Sequence, residues 1–567
     1  MSAPSAWAVG IDRGPFAAAV IGGSLLLAGL SARTPLWVSA VVASVLLAAA
    51  AVRWRGRTAT RWMLDSVEYL VRRSVHARQR ADQLDARDVT VAAGVCGIRD
   101  GDTVLVAMIQ LAPDLDLPTV IGEKTLYTED TVPVDVVSAQ LDQFGIAVDI
   151  DIVATGQRVR SGGAYSMLYD QLIGSQPVVG DRLAWLVVRL DQERNRMVLE
   201  RRGSVAVVAP KALASAAHRI AGRLREQGIA AHPLPASALH EATRLLHAGI
   251  ELTDLREKWG HLESPSSGRC VTTFQLEWSR LGDVGLDDCW VWHGGRTTLV
   301  VSLTDSATGP RALVRYVGAA VTEPPGYLRP LGGKQSTALL ASLPTATSIR
   351  ALPSLDPPTD IAPDELVTAL TVGIGPNGQI LGTLSGQPRH TLALPLFDPA
   401  RYNPRRRTID VHATLTFVQQ LVLRATVVGA DVEVHTARPQ RWRQLVDAVG
   451  DTRSLRVIAE HEGSDPGEED SSVTIAVFDQ LPARASSAHT TVTVSEPGGP
   501  HRPAADLVID QISATAVDVG IPMRTVRVEL IEPRGETRYL GSADGPAAIT
   551  TTPDRTAATH PDGRRVG

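Results

Sequence analysis

Residues 16–32 read FAAAVIGGSLLLAGLSA and residues 36–52 read LWVSAVVASVLLAAAAV, and these two apolar runs decide the predicted fold. Neither run contains a charged residue, and only Arg33, Thr34 and Pro35 separate them. Each run is about 17 residues long, so as a helix it would span roughly 25 Å of a hydrocarbon core that is about 30 Å thick. A backbone in lipid must satisfy its own hydrogen bonds. The two runs therefore predict a transmembrane hairpin of two helices.

Two other structures would also use apolar runs of this length. A signal peptide has one apolar core followed by a cleavage site, whereas here a second run comes directly after the turn at residues 33–35. Buried helices of a soluble domain usually keep a polar face, which neither run has. Both alternatives are therefore less consistent with the sequence than the hairpin.

The charges beside the runs predict an orientation. Arginines follow the second run at once, and no acidic residue lies between that run and Asp65. Excess positive charge stays on the cytoplasmic side and can also contact anionic lipid, so both termini and the large remainder of the chain are expected in the cytoplasm, at the inner (cell) membrane. The arginines are Arg53, Arg55, Arg57 and Arg61, and the expected membrane anchors are Phe16, Leu26, Leu30, Trp37, Leu46, Leu47 and Trp54.

Composition narrows the class of protein further. The 567 residues carry a net charge of −5, so no overall basic field indicates nucleic-acid binding. The three cysteines, Cys96, Cys270 and Cys289, are widely spaced and form no CxxC pair. An odd, scattered set argues against a disulfide framework and is typical of a reducing compartment.

Beyond the hairpin, strand-like and helix-like segments alternate, which indicates an α/β fold. LAWLVVRLD (residues 183–191) predicts a strand, and PKALASAAHRIAGRLREQG (residues 210–228) predicts a long helix with glycine just past its end. The predicted divisions are 1–56 with the hairpin, 57–87 as an amphipathic connecting helix, 88–248 as a first α/β domain, 249–352 as a tryptophan-containing middle segment, 353–363 as a linker, 364–541 as a C-terminal α/β domain, and 542–567 as a disordered tail.

Two glycine-containing strings resemble nucleotide-binding motifs. Gly373-x-Gly375-x-x-Gly378 matches the dinucleotide fingerprint, but Pro376-Asn377-Gly378 precedes an alternating, strand-like segment instead of a helix, which predicts a hairpin turn. Residues 332–336 (GGKQS) resemble a phosphate-binding loop, but Gln335 stands where the motif needs Ser or Thr. Neither string predicts a cofactor-binding residue.

Two Asp-x-Asp strings are the candidate metal ligands. Asp149-Ile150-Asp151 and Asp114-Leu115-Asp116 match the pattern by which nucleotide-sugar transferases hold a divalent cation, and two carboxylates on one strand face can share a hard cation. Asp149 and Asp151 are the primary candidates. The alternative is a pair of acidic residues at the exposed edge of a strand.

The remaining residues predict no catalytic site. Arg405-Arg406-Arg407 beside Tyr402 form either a phosphate or acidic-partner site or a solvated loop. His435, His461 and His489 lack zinc-like spacing, and no GxSxG string occurs.

Three segments resemble the EccE family, a membrane component of the type VII (ESX) secretion systems of actinobacteria. Residues 165–203 (YSMLYDQLIGSQPVVGDRLAWLVVRLDQERNRMVLERRG) are similar to its central strand-forming segment, and residues 216–234 (AAHRIAGRLREQGIAAHPL) are similar to the next segment of that family. Residues 424–446 (RATVVGADVEVHTARPQRWRQLV) are similar to its C-terminal portion.

The resemblance implies a structural subunit without catalytic activity. EccE-like proteins assemble with EccB, EccC and EccD into a hexameric inner-membrane complex in which EccC supplies the ATPase, and their cytoplasmic part is similar to a degenerate glycosyltransferase-like fold. No catalytic residue, cofactor or metal is implied. The alternative function is a membrane-tethered nucleotide-sugar transferase that uses Asp149 and Asp151.

Overall fold

The computed structural model describes most of the chain after residue 84. The described residues are 7–9, 52–54, 57–58 and 85–540, without 123–124, 161, 283–284, 293–294, 306–307, 355–361, 460–472, 503, 523 and 532–534. The predicted disordered tail, residues 59–84 of the predicted connecting helix, and residues 16–32 and 36–51 of the predicted hairpin lie outside them.

The described strands are numbered here in chain order. They are β1 (Trp7–Val9), β2 (Val52–Trp54), β3 (Arg57–Thr58), β4 (Ala86–Val91), β5 (Gly94–Asp100), β6 (Val104–Leu111), β7 (Thr119–Ile121), β8 (Leu126–Tyr127), β9 (Thr131–Pro133), β10 (Asp149–Gly156), β11 (Leu183–Asp191), β12 (Ala231–Pro233), β13 (Arg256–Glu257), β14 (Leu262–Glu263), β15 (Cys270–Leu276), β16 (Arg296–Leu303), β17 (Arg311–Gly318), β18 (Leu328–Pro330), β19 (Thr371–Gly373), β20 (Gln379–Leu384), β21 (Gln387–Leu394), β22 (Arg407–His412), β23 (Val432–Thr436), β24 (Leu455–Ala459), β25 (Ile475–Asp479), β26 (Thr490–Ser495), β27 (Leu507–Ser513), β28 (Ala516–Ile521) and β29 (Arg524–Leu530).

The α-helices are numbered in the same way. They are α1 (Val134–Ser138), α2 (Ala164–Ile173), α3 (Arg196–Glu200), α4 (Val205–Glu226), α5 (Ala236–Leu246), α6 (Trp278–Leu281), α7 (Gln335–Ala341), α8 (Pro363–Ala369), α9 (Leu415–Val427) and α10 (Arg443–Val449). Short 3-10 helices lie at Leu252–Asp254, Leu286–Trp290, Ile349–Ala351, Pro439–Arg441 and Glu536–Arg538.

The fold class predicted from the sequence needs correction at the N-terminus. β1, β2 and β3 form a small antiparallel sheet, so Val52, expected at the end of the second membrane helix, lies in a strand together with Arg53 and Trp54. Among the described residues, no helix has both the length and the apolar character needed to cross a membrane. The described chain is a mixed α/β protein made mostly of sheet, and the predicted transmembrane hairpin is not supported. Each apolar run is only about 17 residues long, at the lower limit for a span.

The first large sheet is antiparallel throughout and has twelve strands. Its order is β13-β14-β15-β17-β16-β10-β11-β6-β5-β4, with β12 added beside β6 and β18 beside β15. The central strands carry apolar side chains on both faces, because both faces are covered. α4 packs on one face, whereas α5 and α7 pack on the other.

The second large sheet also has twelve strands and is mixed. β24-β23-β25-β26-β22-β27 are parallel, and β28-β29-β20-β21-β7-β8 continue the sheet with antiparallel pairing. α9 is buried from Phe417 to its end, in the core of this half of the molecule. β7 and β8 come from the N-terminal part of the chain, so the two halves share chain segments. The domain boundaries drawn from the sequence stay predictions.

The connection from β26 to β27 shapes one face of the second sheet. β22 lies between these two parallel strands, so the chain must return from the end of β26 to the start of β27 across β22, and the described residues 496–502 and 504–506 belong to this return. Hydrogen bonds connect this segment to β22. The Arg502 N–H donates to Asp410, and the Thr408 hydroxyl donates to the Ala504 carbonyl and to the Asp506 carboxylate. The described residues 496–502 are called here the His501 loop.

Candidate functional site

The first Asp-x-Asp string is held by arginines. Asp149 and Asp151 lie on β10, a central strand between β11 and β16, not at an exposed edge. Asp149 accepts hydrogen bonds from Arg194 Nη1 at 2.9 Å and from Arg350 Nε at 2.9 Å. Asp151 pairs with Arg189, and both side chains are at most 2% exposed. Both oxygens of Asp149 and Oδ2 of Asp151 are therefore bound to guanidinium groups, whereas Oδ1 of Asp151 is buried without a hydrogen-bond partner.

The second Asp-x-Asp string pairs with two residues of the triple arginine, Arg405 and Arg407. Arg405 Nη1 lies 2.8 Å from Asp114 Oδ1, and Arg405 Nη2 pairs with Asp116 Oδ2. Arg407 Nη2 donates to Asp116 Oδ1 at 3.0 Å, and Nη1 donates to the carbonyl of Pro395. Burial lowers the pKa of Arg407 to about 10, although the Asp116 carboxylate opposes that shift. In these contacts Arg405 and Arg407 bind the chain's own carboxylates.

A cleft of about 660 Å³ lies beside this second cluster. It is lined by Asp114, Asp130 and Arg405, among other residues. Burial raises the pKa of Asp130 to about 6, while hydrogen bonds from backbone groups and the charge of Arg182 act in the opposite direction. A second cleft, of about 750 Å³, is lined by His240, Glu241 and His247 and by other residues of the α5 region.

The string that resembles a phosphate loop has a packing role. A Cβ added at Gly332 would lie 2.5 Å from Trp259 Nε1, and one at Gly333 would lie 2.8 Å from Trp259 Cζ3. The Gln335 side chain accepts from the backbone N–H of Thr273 and donates to its carbonyl, and Ser336 bonds Glu257. The glycines thus let the indole approach the backbone, and the polar side chains tie α7 to neighbouring strands.

The glycines of the dinucleotide-like string are also required by packing. A Cβ at Gly373 would lie 2.6 Å from the guanidinium of Arg182, and one at Gly375 would lie 2.4 Å from Pro113 Cβ. The predicted hairpin is wrong, because β19 pairs with β9 whereas β20 pairs with β21 and β29. Residues 376–378 form an irregular connection, and tertiary contacts carry the two flanking strands into different sheets.

Substitution of Gly378 by alanine is expected to lower the free energy of unfolding by roughly 2–4 kcal/mol. Gly378 has φ +80°, and its added Cβ would lie 2.1 Å from the carbonyl carbon of Leu394. Gly386→Ala is the matched control, since Gly386 has φ +79° but nothing within 4 Å. The free energy of unfolding of Gly386→Ala should fall by only about 1 kcal/mol, which is the cost of placing alanine in the left-handed backbone region. Equal losses in urea unfolding of the two variants would contradict the packing role.

Asp410, His412 and His501 form a cluster that the sequence analysis missed. One potential ligand atom from each residue lies within 4.8 Å of the other two. Asp410 and His412 share the face of β22 that the His501 loop covers, and both are buried. The rings of His412 and His501 are 4.5 Å apart in an edge-to-face arrangement. Within the part of the chain that the structure describes, this is the single such group of three.

Hydrogen bonds fix the buried members of the cluster. His412 Nε2 lies 3.0 Å from Asp410 Oδ2, and His412 Nδ1 lies 2.9 Å from Ser495 Oγ. The Thr493 hydroxyl donates to Asp410 Oδ1, and the Arg502 N–H donates to Oδ2. Burial acts to raise the pKa of Asp410, but the hydrogen bonds from Arg502, Thr493 and His412 outweigh burial, so the pKa is lowered. The group is therefore a carboxylate at neutral pH.

A local signal for this cluster exists in the sequence. Asp410-Val411-His412 places an acid and a histidine two residues apart, on one face of a strand. Glu433-Val434-His435 repeats the pattern, but there Arg456 Nε binds Glu433 at 2.9 Å, and the His435 ring stacks on Phe478. The third residue, His501, lies far away in the chain, and no spacing rule connects it to the pair.

Comparisons with known proteins point to one family. A family model described as "Putative type VII ESX secretion system translocon, EccE" matches residues 178–276, which cover β11–β15 and α3–α5. The ESX-2 secretion system protein EccE2 of Mycobacterium tuberculosis is 26% identical over 469 residues, which are 78% of this chain and 82% of that protein.

Shorter matches agree with this relationship. The ESX-1 secretion system protein EccE1 of Mycobacterium tuberculosis is 28% identical over 298 residues, covering 50% of this chain and 61% of that protein. The ESX-5 secretion system protein EccE5 of Mycobacterium marinum is 31% identical over 236 residues, covering 38% and 56%. The matched segments thus span less than two thirds of EccE1 and EccE5. The chain is therefore similar to EccE proteins of type VII (ESX) secretion systems over most of its length.

Proposed function

We propose that this protein is a structural, non-catalytic subunit of a type VII secretion complex and supports the assembly and stability of the machine that exports proteins. The observation that carries the proposal is the similarity to EccE2 over 78% of the chain. The proposed partners are the other complex subunits EccB, EccC and EccD in a hexameric hetero-oligomer. No nucleic acid is among them, consistent with a net charge of −5.

The ion pairs between the Asp-x-Asp carboxylates and arginines support a structural role. In both Asp-x-Asp strings the acidic side chains bind arginines of distant segments, such as Arg350 for Asp149 and Arg405 for Asp114. Each pair therefore ties two parts of the fold together. A transferase needs these oxygens for its cation, and the arginine charges would repel that cation.

The proposed location is the cytoplasmic side of a membrane-associated machine. All three cysteines are free, and Cys96 and Cys289 are buried; free thiols are typical of proteins in a reducing compartment. Burial raises the pKa of Cys96 to about 12, with a smaller effect from Asp88, so this thiol is inert at neutral pH.

Deletion of the gene tests the proposal in the organism that carries it. We expect the amount of ESX substrates in the culture medium to fall at least tenfold, because an incomplete complex cannot export them. Quantitative mass spectrometry of the culture medium measures the effect, and proteins exported by the general secretory route are the internal control. Unchanged export of ESX substrates from the deletion strain would contradict the proposal.

The transferase alternative is tested on the purified chain with Asp149→Ala. A structural role predicts no Mn²⁺-dependent binding of a nucleotide sugar such as UDP-glucose, either in the wild-type chain or in the variant. Isothermal titration with and without MnCl₂ measures this binding. Mn²⁺-dependent binding in the wild type that Asp149→Ala abolishes would establish the transferase site instead.

A further inference from the structure

We propose that Asp410, His412 and His501 bind one Zn²⁺ ion. This inference concerns a metal site and is independent of the proposed function. Two imidazoles and a carboxylate are ligands that Zn²⁺ favours, and sites with three protein ligands leave a fourth position for water. The three side chains already converge, with one ligand atom of each within 4.8 Å of the others.

The distances suit a tetrahedral ion after a small movement. Zinc bonds of about 2.0–2.2 Å place neighbouring ligand atoms about 3.3 Å apart in a tetrahedral site. His412 Nε2 and Asp410 Oδ2 are 3.0 Å apart, close to that spacing. The His501 side chain is 56% exposed and can change rotamer, so it is the member that moves inward to complete the site.

Neighbouring groups orient the three ligands through hydrogen bonds, as such groups do around bound metal ions. Ser495 Oγ lies on the Nδ1 side of His412, so a proton on Nδ1 directed at Ser495 leaves the Nε2 lone pair for the ion. Thr493 and the Arg502 N–H hold the Asp410 carboxylate. Asp510 stands beside His412 in the parallel register, and its Oδ2 lies 3.7 Å from His501 Nε2, which adds negative charge near the ion.

The related pair on β23 shows what distinguishes the site. Glu433 and His435 have the same spacing and a 2.8 Å contact between Oε1 and Nε2. The Arg456 guanidinium binds the Glu433 carboxylate, whereas a second histidine, His501, lies near Asp410. The Asp410 carboxylate makes no ion pair with an arginine among the contacts of the described residues. The Asp410–His412 pair can therefore accept a cation, whereas the charge of Glu433 is already neutralised by Arg456.

Metal binding would fasten the His501 loop to β22. The loop is held now by the bond from the Arg502 N–H to Asp410 and by the close approach of Gly499, whose added Cβ would lie 3.3 Å from His412 Nδ1. A bond from His501 to the ion adds a third attachment. We therefore expect Zn²⁺ to slow hydrogen exchange in residues 496–502.

The test is titration of the purified full chain with ZnCl₂. We expect one ion per chain by isothermal titration, a rise in the midpoint of thermal unfolding, and a visible absorption band when CoCl₂ replaces zinc. His501→Ala should weaken zinc binding at least tenfold while the chain stays folded, because this side chain is exposed. MgCl₂ should produce no effect, since imidazole ligands favour zinc over magnesium.

His435→Ala is the matched control because it removes a histidine from the same sheet, two residues after an acid. It should bind Zn²⁺ as the wild type does. Wild-type binding that His501→Ala leaves unchanged, or that His435→Ala weakens equally, would overturn the proposal. So would a wild-type chain that takes up no Zn²⁺ and gives no cobalt absorption band.

Discussion

Glu536→Ala is expected to lower the free energy of unfolding by about 3–5 kcal/mol, because it leaves a buried arginine without its counter-charge. Arg424 Nε donates to Glu536 Oε1 at 3.0 Å and Nη2 donates to Oε2 at 2.9 Å. The two side chains are 2% and 1% exposed. Gln420 Nε2 and the Tyr165 hydroxyl complete the carboxylate's partners, so one acid joins α2, α9 and the Glu536–Arg538 turn.

The other contacts of Arg424 explain why the loss should be large. Its guanidinium also donates to the carbonyls of Ile380 and Ile531. These bonds hold the group in place, so after the substitution it cannot move to water without breaking them. Burial raises the pKa of Tyr165, so its hydroxyl stays neutral and cannot replace the missing charge.

Urea unfolding monitored by circular dichroism measures the effect, and Asp518→Ala is the control. Asp518 pairs with Arg527 Nε at 2.8 Å, but that arginine is 57% exposed. An exposed pair contributes at most about 1 kcal/mol, so this variant should unfold close to the wild type. An equally small decrease in the free energy of unfolding for both variants would contradict the stabilising role of the buried Arg424–Glu536 pair.

Asp151→Ala is the second substitution with a large expected effect, again about 3–5 kcal/mol of lost stability. Arg189, on β11, is 2% exposed and pairs with Asp151 across the centre of the first sheet. The same guanidinium donates to the carbonyls of Leu343 and Thr345 at 2.9 and 2.8 Å. It therefore anchors the segment after α7 to the sheet, and loss of Asp151 leaves that charge buried and uncompensated.

A double substitution separates the buried charge from simple loss of packing. Asp151→Ala combined with Arg189→Met removes both charges and keeps most of the side-chain volume. Because buried pairs can be replaced by apolar groups at low cost, the double variant should be more stable than Asp151→Ala alone. If the double variant is less stable than Asp151→Ala in urea unfolding, the uncompensated charge of Arg189 is not the cause of the lost stability.

Local sequence patterns predicted a strand or helix correctly where the residues of that segment alone determine its secondary structure. LAWLVVRLD forms β11 over Leu183–Asp191, as predicted. The predicted long helix is α4, but it begins at Val205, before Pro210. The apolar residues of both segments pack in the cores of the first sheet, so burial reinforces the pattern that the sequence already shows.

Patterns failed where the outcome depends on distant partners. Asp116 and Arg407 are 291 residues apart, and each belongs to a string that looked like an independent binding motif. Their pairing is fixed by the fold and leaves no local trace. In the same way, no feature near Asp410 or His412 indicates that the return path of the chain brings His501 to them. The glycines at 373–378 match the dinucleotide string, although no nucleotide site was predicted there, because close packing and phosphate binding both require the absence of a side chain.

Native purification from membranes shows whether this protein assembles into the secretion complex. A tagged chain, produced at its natural level and extracted in mild detergent, should elute in a particle of megadalton scale together with the ATPase subunit of the complex. Mass spectrometry of that fraction identifies the partners. Elution of the chain by itself, at the size expected from its 60.4 kDa, would contradict the account.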